Sequence, residues 1–459
     1  MIRTTMAFIF FLFLNSVISF AQAESIIRIS GEGIKNFEAY ESEGTFYAAP
    51  VILTKGGKWK LSWENEKLYV YPDKKGNEKV EIPTKEINGG KYIDFSFFSK
   101  PAGLNYTYDE KKRKIKLKKI KEKQDNRKRS EESPSKMPVI LWDINYSFNP
   151  DQKDFRQIQG VPILSPVMGS YDDYISGKYR LDFNYLKRVR NAGINVMPLV
   201  SNDFEPEKTA LFMRDSLKQT EIINRLTALS VVYDLYGFNL DFENMNPEDS
   251  ALFTDFVKKF YQVLNEKGKN LTIDITVYNP KSLNWSLCYD REGLAPYCDY
   301  EIIMGYDETG RFTDHAGSVS SYSWLDKNAS TLITMVPPEK LILGLPFYTR
   351  IYSGYKGHIK SETLPMKKQE EFLKRQHHPV IWQKEAKQYV MQWKQNGIPH
   401  TVYLEEEKSL SAKFSLIAKY NLGGAAFWRY GFEEGEIYEM LENNRHEKKD
   451  EINKVQLHI

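Results

Sequence analysis

Residues 236–243 read Tyr236-Gly237-Phe238-Asn239-Leu240-Asp241-Phe242-Glu243, large apolar side chains alternating with Asn239, Asp241 and Glu243. Successive side chains of a β-strand point to opposite faces, so Phe238, Leu240 and Phe242 share one side and the three polar groups the other. On an ordinary sheet the polar side would meet water. The flanking segments instead predict a parallel barrel, whose lumen is normally filled with branched apolar residues. Two carboxylates placed there are expensive unless they have a task.

Outward from this stretch the pattern repeats. Short apolar runs at Val139–Trp142, Val161–Ser165, Asn195–Leu199, Phe238–Glu243, Leu271–Thr276, Tyr300–Met304, Leu341–Leu345 and Gly424–Trp428 make eight candidate strands. Amphipathic stretches such as Phe183–Asn191, Gln219–Tyr236, Pro247–Lys267 and Leu410–Tyr420 lie between them. This alternation predicts an α/β fold, a TIM (β/α)8 barrel, over residues 137–445. The gap between strands seven and eight exceeds one crossover helix, and its Gly-rich turns beside strand-like runs predict an α+β insertion at 351–405. Barrel enzymes carry their chemistry at the C-terminal ends of strands, where Glu243 falls. Ser165-Pro166, Ser201-Asn202, Met304-Gly305-Tyr306-Asp307 and Phe427-Trp428-Arg429 end four other strands, so five polar or aromatic strand ends converge on one mouth.

Ahead of the barrel, residues 26–120 carry an internal repeat at a constant offset of 45: Tyr47 matches Tyr92, Lys55 matches Lys100, Trp63 matches Tyr108 and Val70 matches Ile115. Each copy reads strand, short helix or turn, then hairpin, which predicts a small duplicated α+β domain. The layout resembles the copper amine oxidase N-terminal-like module of secreted bacterial proteins, which implies attachment to the cell wall or a spacer; nothing in it looks like a copper site. Residues 1–23, with Arg3, an apolar stretch from Ala7 to Phe20 and Ala21-Gln22-Ala23, read as a secretory signal peptide. Export to the medium or the cell envelope is therefore expected, with no transmembrane segment after cleavage. Residues 121–136 form a charged linker within a run, Lys111 to Lys136, of 13 Lys or Arg against 4 Asp or Glu; residues 446–459 form a charged tail.

Composition narrows the function. The 459 residues are 41% hydrophobic, a globular fraction, and the 14% aromatics, with 29 Tyr and 8 Trp, suit surfaces on which sugars stack. A net charge of only +3 on an exported chain argues against nucleic acid. Two cysteines, Cys288 and Cys298, are close enough to bridge one loop but too few for a structural zinc site. No metal or cofactor is expected.

The lumen stretch is similar to the glycoside hydrolase family 18 signature, Asp-x-x-Asp-x-Asp-x-Glu, and Met304-Gly305-Tyr306-Asp307 to that family's Met-x-Tyr-Asp. Ile303–Glu308, Ala316–Val319, Pro337–Arg350 and Ala425–Arg429 resemble its spore-cortex-lytic branch. The resemblance implies a retaining hydrolysis in which the substrate's 2-acetamido group is the nucleophile. Glu243 would be the acid and then the base, Asp241 would hold the acetamido N–H, and Tyr306 its oxygen. Asn239 and Asp307 would belong to the substrate subsite, Trp428 would floor the sugar, and Tyr348 and Arg350 would stand at the rim. The expected substrate is a β-1,4-linked N-acetylglucosamine polymer, peptidoglycan first, with chitin and the chitobiose core of N-glycans as rivals. A glycan-binding protein without catalysis is the alternative from another class. Two positions depart from the signature: Tyr236 replaces the first Asp and Asn239 the second, leaving two expected lumen carboxylates, Asp241 and Glu243.

Overall fold

The computed structural model describes residues 25–73, 78–120, 137–152, 155–439 and 441–443. The signal peptide, the linker and the tail read above lie outside the described residues. The described residues form two compact units, one of 25–69 with 81–120, the other of 70–73 and 78–80 with the described residues from 137 onward.

In the first unit a seven-stranded sheet runs in the order Lys85–Ile87, Gly90–Asp94, Thr45–Ala48, Ile34–Ser42, Ser25–Gly31, Lys114–Lys119, Leu104–Asp109. The repeated stretches adopt the same order of elements. Thr45–Ala48 leads into the helical turn Ile52–Lys55, and Gly90–Asp94 into Phe95–Phe98. The two leading strands pair antiparallel, Tyr47 opposite Asp94, which joins the two copies in one sheet. Asp94 caps its helical turn by accepting from the Phe97 amide at 3.0 Å.

The second unit contains the barrel. Its strands are β1 (Pro138–Trp142), β2 (Val161–Ser165 continued by Val167–Ser170), β3 (Asn195–Val196 continued by Leu199–Ser201), β4 (Gly237–Asp241), β5 (Asn270–Thr276), β6 (Tyr300–Met304), β7 (Leu341–Pro346) and β8 (Gly424–Trp428). All pair parallel, and β8 closes on β1 through Val139 opposite Ala425. Val161–Ser165 forms as expected and β2 resumes after Pro166, whereas the expected run Asn195–Leu199 is interrupted at Pro198; proline has no N–H for the ladder. The first halves of β2 and β3 pair with each other, as do the second halves. Carbonyls at the breaks still accept: Pro166 from the Leu199 amide and Pro198 from the Asn239 amide, each at 2.9 Å.

Helices Phe183–Asn191, Ser216–Val232, Ser250–Glu266 and Glu407–Lys419 pack outside the ring. Between β7 and β8 stands a five-stranded antiparallel sheet, ordered His358–Pro365, Tyr348–Tyr355, Ile398–Tyr403, Gln388–Gln395, Val380–Gln383, with helix Gln369–Gln376. Its base is fixed to the barrel by the fully buried ion pair of Glu405 with Lys413. Cys288 and Cys298 are buried free thiols rather than a bridge. Each has its own surroundings: Cys298 Sγ lies 3.6 Å from the Leu294 carbonyl, and burial pushes Cys288 up to about 11, beside the Met245 backbone. Among the described residues no helix is long and apolar enough to cross a membrane.

Candidate active site

The register of β4 is set by its apolar side. Phe238 packs on Phe260 at 5.9 Å between ring centroids, and Phe242 stacks on Phe253 and Phe256 at 5.6 and 6.1 Å, all on the helix after β4. That outward anchoring turns Asn239, Asp241 and Glu243 into the lumen. Gly237 is required where β4 passes β5, since a Cβ there would sit 1.9 Å from the Asn270 carbonyl oxygen.

Asn239 corrects one expectation. It is fully buried and does not line the cavity, because its amide is committed to cross-linking four strands. Its Oδ1 accepts from Trp142 Nε1 at 2.9 Å and Ser165 Oγ at 3.4 Å; its Nδ2 donates to Thr272 Oγ1 at 3.1 Å and Asp274 Oδ1 at 2.8 Å. The count of lumen carboxylates also changes, for Asp274 on β5 is a third, only 1% exposed.

Burial raises the proton affinity of all three carboxyls. Glu243 is raised well above the usual range by burial and then by Asp241, Asp274 and Asp307. Burial lifts Asp241 to about 7, against the pull of its hydrogen bond with Glu243. Asp274 is raised by burial and by Asp241, partly offset by the Asn239 amide. They titrate as one cluster. Glu243 itself is half-buried, and its backbone is clamped by Asn202 at the end of β3. Asn202 Oδ1 accepts from the Glu243 amide at 3.0 Å and its Nδ2 donates to the Glu243 carbonyl at 2.8 Å.

Asp241, Glu243, Asp274, Tyr306 and Trp428 face one cavity of ≈ 940 Å³. Tyr306 and Trp428 form an aromatic floor, 6.3 Å apart between centroids, and the buried Trp142 backs it 5.6 Å from Trp428. The peptide bond from Trp428 to Arg429 is cis. Asp307, Tyr348 and Arg350 also line the cavity and bind one another: Tyr348 Oη donates to Asp307 Oδ1 at 2.7 Å, and Arg350 Nε lies 3.5 Å from the same oxygen. Across the mouth, Phe204 after β3 and Trp285 after β5 are paired at 6.2 Å, 42% and 44% exposed.

The description Glycosyl hydrolases family 18 matches residues 70–433, more than half of the chain. The chain belongs to glycosyl hydrolases family 18. Among relatives of this glycosidase, the uncharacterized glycosylase YvbX of Bacillus subtilis is 25% identical over 246 residues, covering 52% of this chain and 70% of YvbX. A cortical fragment-lytic enzyme of Bacillus anthracis is 20% identical over 251 residues, covering 53% of this chain and 57% of that protein. The chain thus spans little more than half the length of that enzyme. The spore cortex-lytic enzyme SleL of Bacillus cereus shares the fold, with a TM-score of 0.58 at 16% identity over 68% of this chain and 75% of that one.

In this family 18 glycosidase the tertiary structure gathers Asp241, Glu243, Tyr306, Asp307, Trp428, Tyr348 and Arg350 around one cavity, leaving Asn239 beneath it. Tyr236 packs against the barrel's apolar cluster at the start of β4, outside the cavity lining, so the missing Asp of the signature takes nothing from the mouth. Sequence reasoning missed Asp274, Phe204, Trp285 and Arg311. For Asp274 the signal was present: Leu271, Ile273 and Ile275 alternate with Thr272, Asp274 and Thr276 one strand after the signature.

Proposed function

We propose that this family 18 glycosidase is an exported retaining hydrolase of β-1,4 bonds at N-acetylglucosamine in peptidoglycan, with the substrate's 2-acetamido group as nucleophile. The observation that carries this reading is that Asp241 and Glu243, two residues apart at the end of β4, line the same cavity from one side. Two protein carboxylates that flank a glycosidic bond stand about 5–5.5 Å apart for a protein nucleophile, or about 6.5–9.5 Å apart for inversion. Side chains at i and i+2 on one strand face stand together on one side of a bound glycan, which leaves no place for the scissile bond between them. One acid therefore serves the leaving oxygen, and the nucleophile comes from the substrate.

Glu243, kept protonated by its surroundings, gives its proton to the glycosidic oxygen as the C1–O bond breaks. The acetamido oxygen bonds to C1, forming an oxazolinium. Asp241 Oδ1 is buried with no hydrogen-bond partner among the described residues, an acceptor suited to the acetamido N–H. Tyr306 supplies a neutral hydroxyl, its ionisation opposed chiefly by burial, and Trp428 a stacking face. Glu243, now a carboxylate, takes a proton from water as the water oxygen attacks C1, opening the oxazoline with net retention.

Peptidoglycan is favoured by the likeness to cortical fragment-lytic and spore cortex-lytic enzymes. The leader read in residues 1–23 supports export, and the duplicated module supports a role at the wall as anchor or spacer. The test is digestion of purified peptidoglycan and of chitin oligosaccharides by the whole chain, with reducing ends identified by mass spectrometry. Muropeptides ending in reducing N-acetylglucosamine are expected, and Glu243→Gln should lower kcat by about 10²–10⁴-fold. Cleavage of chitin alone would reassign the substrate. Binding without product from either polymer would make the chain a glycan-binding protein.

A further inference from the structure

The loops after β6, β7 and β8 bring three arginines to the cavity wall, Arg311, Arg350 and Arg429. Their partners differ. Arg350 is engaged, by Asp307 at 3.5 Å and by Thr363 Oγ1, to which its Nη1 donates at 3.2 Å. Among the described residues neither Arg311 nor Arg429 has a carboxylate within ion-pair distance. The acids whose charge acts on Arg429 are Asp143 and Glu433. Asp143 is fully buried, and its oxygens accept from the Ser147 and Phe148 amides, the Ser147 hydroxyl and the Tyr185 hydroxyl at 3.0 to 3.2 Å. Burial works against ionisation of Glu433. The Arg429 guanidinium lies 3.9 Å from the Phe432 ring centroid, and Phe432 lines the same cavity. A guanidinium held on an aromatic face keeps the edges of its planar fork free for a planar oxyanion.

Arg311 is exposed at the rim, but Arg429 is half-buried; a half-buried cation without a counter-ion is costly, and a ligand that supplies the opposite charge removes that cost. The rest of the mouth limits where the charge can lie. On the side of β3 and β5, which flank Glu243 on β4, the wall is the uncharged pair Phe204 and Trp285; the arginines belong to β6, β7 and β8. Glycan seated along the cleft therefore meets an apolar face on one side of Glu243 and unpaired positive charge on the other.

We infer that Arg311 and Arg429 recognise a carboxylate carried by the glycan on the Trp428 side of Glu243, so that the enzyme selects an anionic N-acetylglucosamine polymer over a neutral one. This rests on the reading of the cavity as the site of glycan hydrolysis and deepens it. The lactyl ether and the stem peptides of peptidoglycan carry such carboxylates; chitin has none.

The probe is soluble peptidoglycan strands, compared with the same strands after carbodiimide conversion of their carboxylates to amides. Amidation should lower kcat/KM of the parent by about ten-fold, and added salt should narrow the difference. The Arg311→Gln/Arg429→Gln double variant should lose about ten-fold more on carboxylated than on amidated strands, while Arg429→Lys, which keeps the charge without the fork, falls between. Circular dichroism confirms that the variants fold. Equal rates of the parent on both strands, or equal losses of the folded double variant on both, would overturn the inference and leave the hydrolase reading standing. Binding measured in a Glu243→Gln background separates the converse case. If the parent cuts nothing, yet Glu243→Gln binds carboxylated strands more tightly and the arginine substitutions erase that preference, the recognition stands and the hydrolase reading fails.

Discussion

Asp241, Glu243 and Asp274 share one lumen, and burial is the leading influence on each, raising its pKa. Each therefore keeps its proton to a higher pH in the folded chain than in the unfolded one. Native protein then binds more protons than unfolded protein, and the stability associated with the cluster falls as pH rises above the ordinary carboxylate range, through about 7 for Asp241 and beyond for the other two. Asp274→Asn removes one of these groups while keeping an oxygen for the Asn239 amide. Its thermal midpoint should exceed the parent's by about 2–4 °C at pH 8, with the gap closing near pH 4. A gap independent of pH in calorimetry would contradict the shared titration. Asn at 239 fits the same logic, because an Asp there would set another acid against Asp274, whose Oδ1 is 2.8 Å from Asn239 Nδ2. The alkaline limb of the kcat/KM profile belongs to Glu243, the proton donor, and should lie well above the pKa of an ordinary carboxyl.

At the scale of elements, the insertion between β7 and β8 is joined to the barrel by a polar contact where a hydrophobic one would be expected. Glu405 and Lys413 are each 0% exposed, and desolvation acts against both charges, raising one pKa and lowering the other. Glu405 also accepts from Ser409 Oγ at 2.7 Å and Gln388 Nε2 at 3.2 Å, so the carboxylate ties the crossover helix to a strand of the insertion. Removing one partner leaves the other buried and unpaired. Glu405→Ala should cost about 3–5 kcal/mol in denaturant unfolding, whereas the volume-matched Glu405→Leu/Lys413→Met should cost less than that single change. If the double variant were the less stable of the two, the pair would be a net source of stability rather than a specifier of docking. The prolines that interrupt β2 and β3 act at this scale too: they break the ladder, and Pro198 still positions β4 by accepting from the Asn239 amide.

Across the whole molecule, the mouth is assembled from loops that lie far apart in the chain, and its two walls differ in chemistry. The Phe204 and Trp285 pair offers a stacking face at the mouth of the cavity, across from Trp428. Trp285→Ala should raise KM for long glycans by about 3–10-fold with a smaller effect on kcat, and matter least for substrates too short to reach it. Equal effects on short and long substrates would remove Trp285 from the binding surface. By itself the sequence determined the barrel, because eight short apolar runs alternating with amphipathic stretches admit few other packings. It also determined which face of residues 238–243 carries the acids, because a strand's side chains alternate whatever surrounds them. The family follows from Asp241, Glu243 and Tyr306 standing at strand ends. Tertiary structure alone decided that Asn239 is a buried cross-link, since its partners Trp142, Ser165, Thr272 and Asp274 come from three other strands. It also decided that Asp274 completes the acidic cluster, that Asn202 clamps the backbone of Glu243, and that among the described residues Arg311 and Arg429 have no carboxylate partner while Arg350 does. Local periodicity fixes the direction of a side chain, but its neighbours, and hence its proton and its charge balance, depend on how the ring closes.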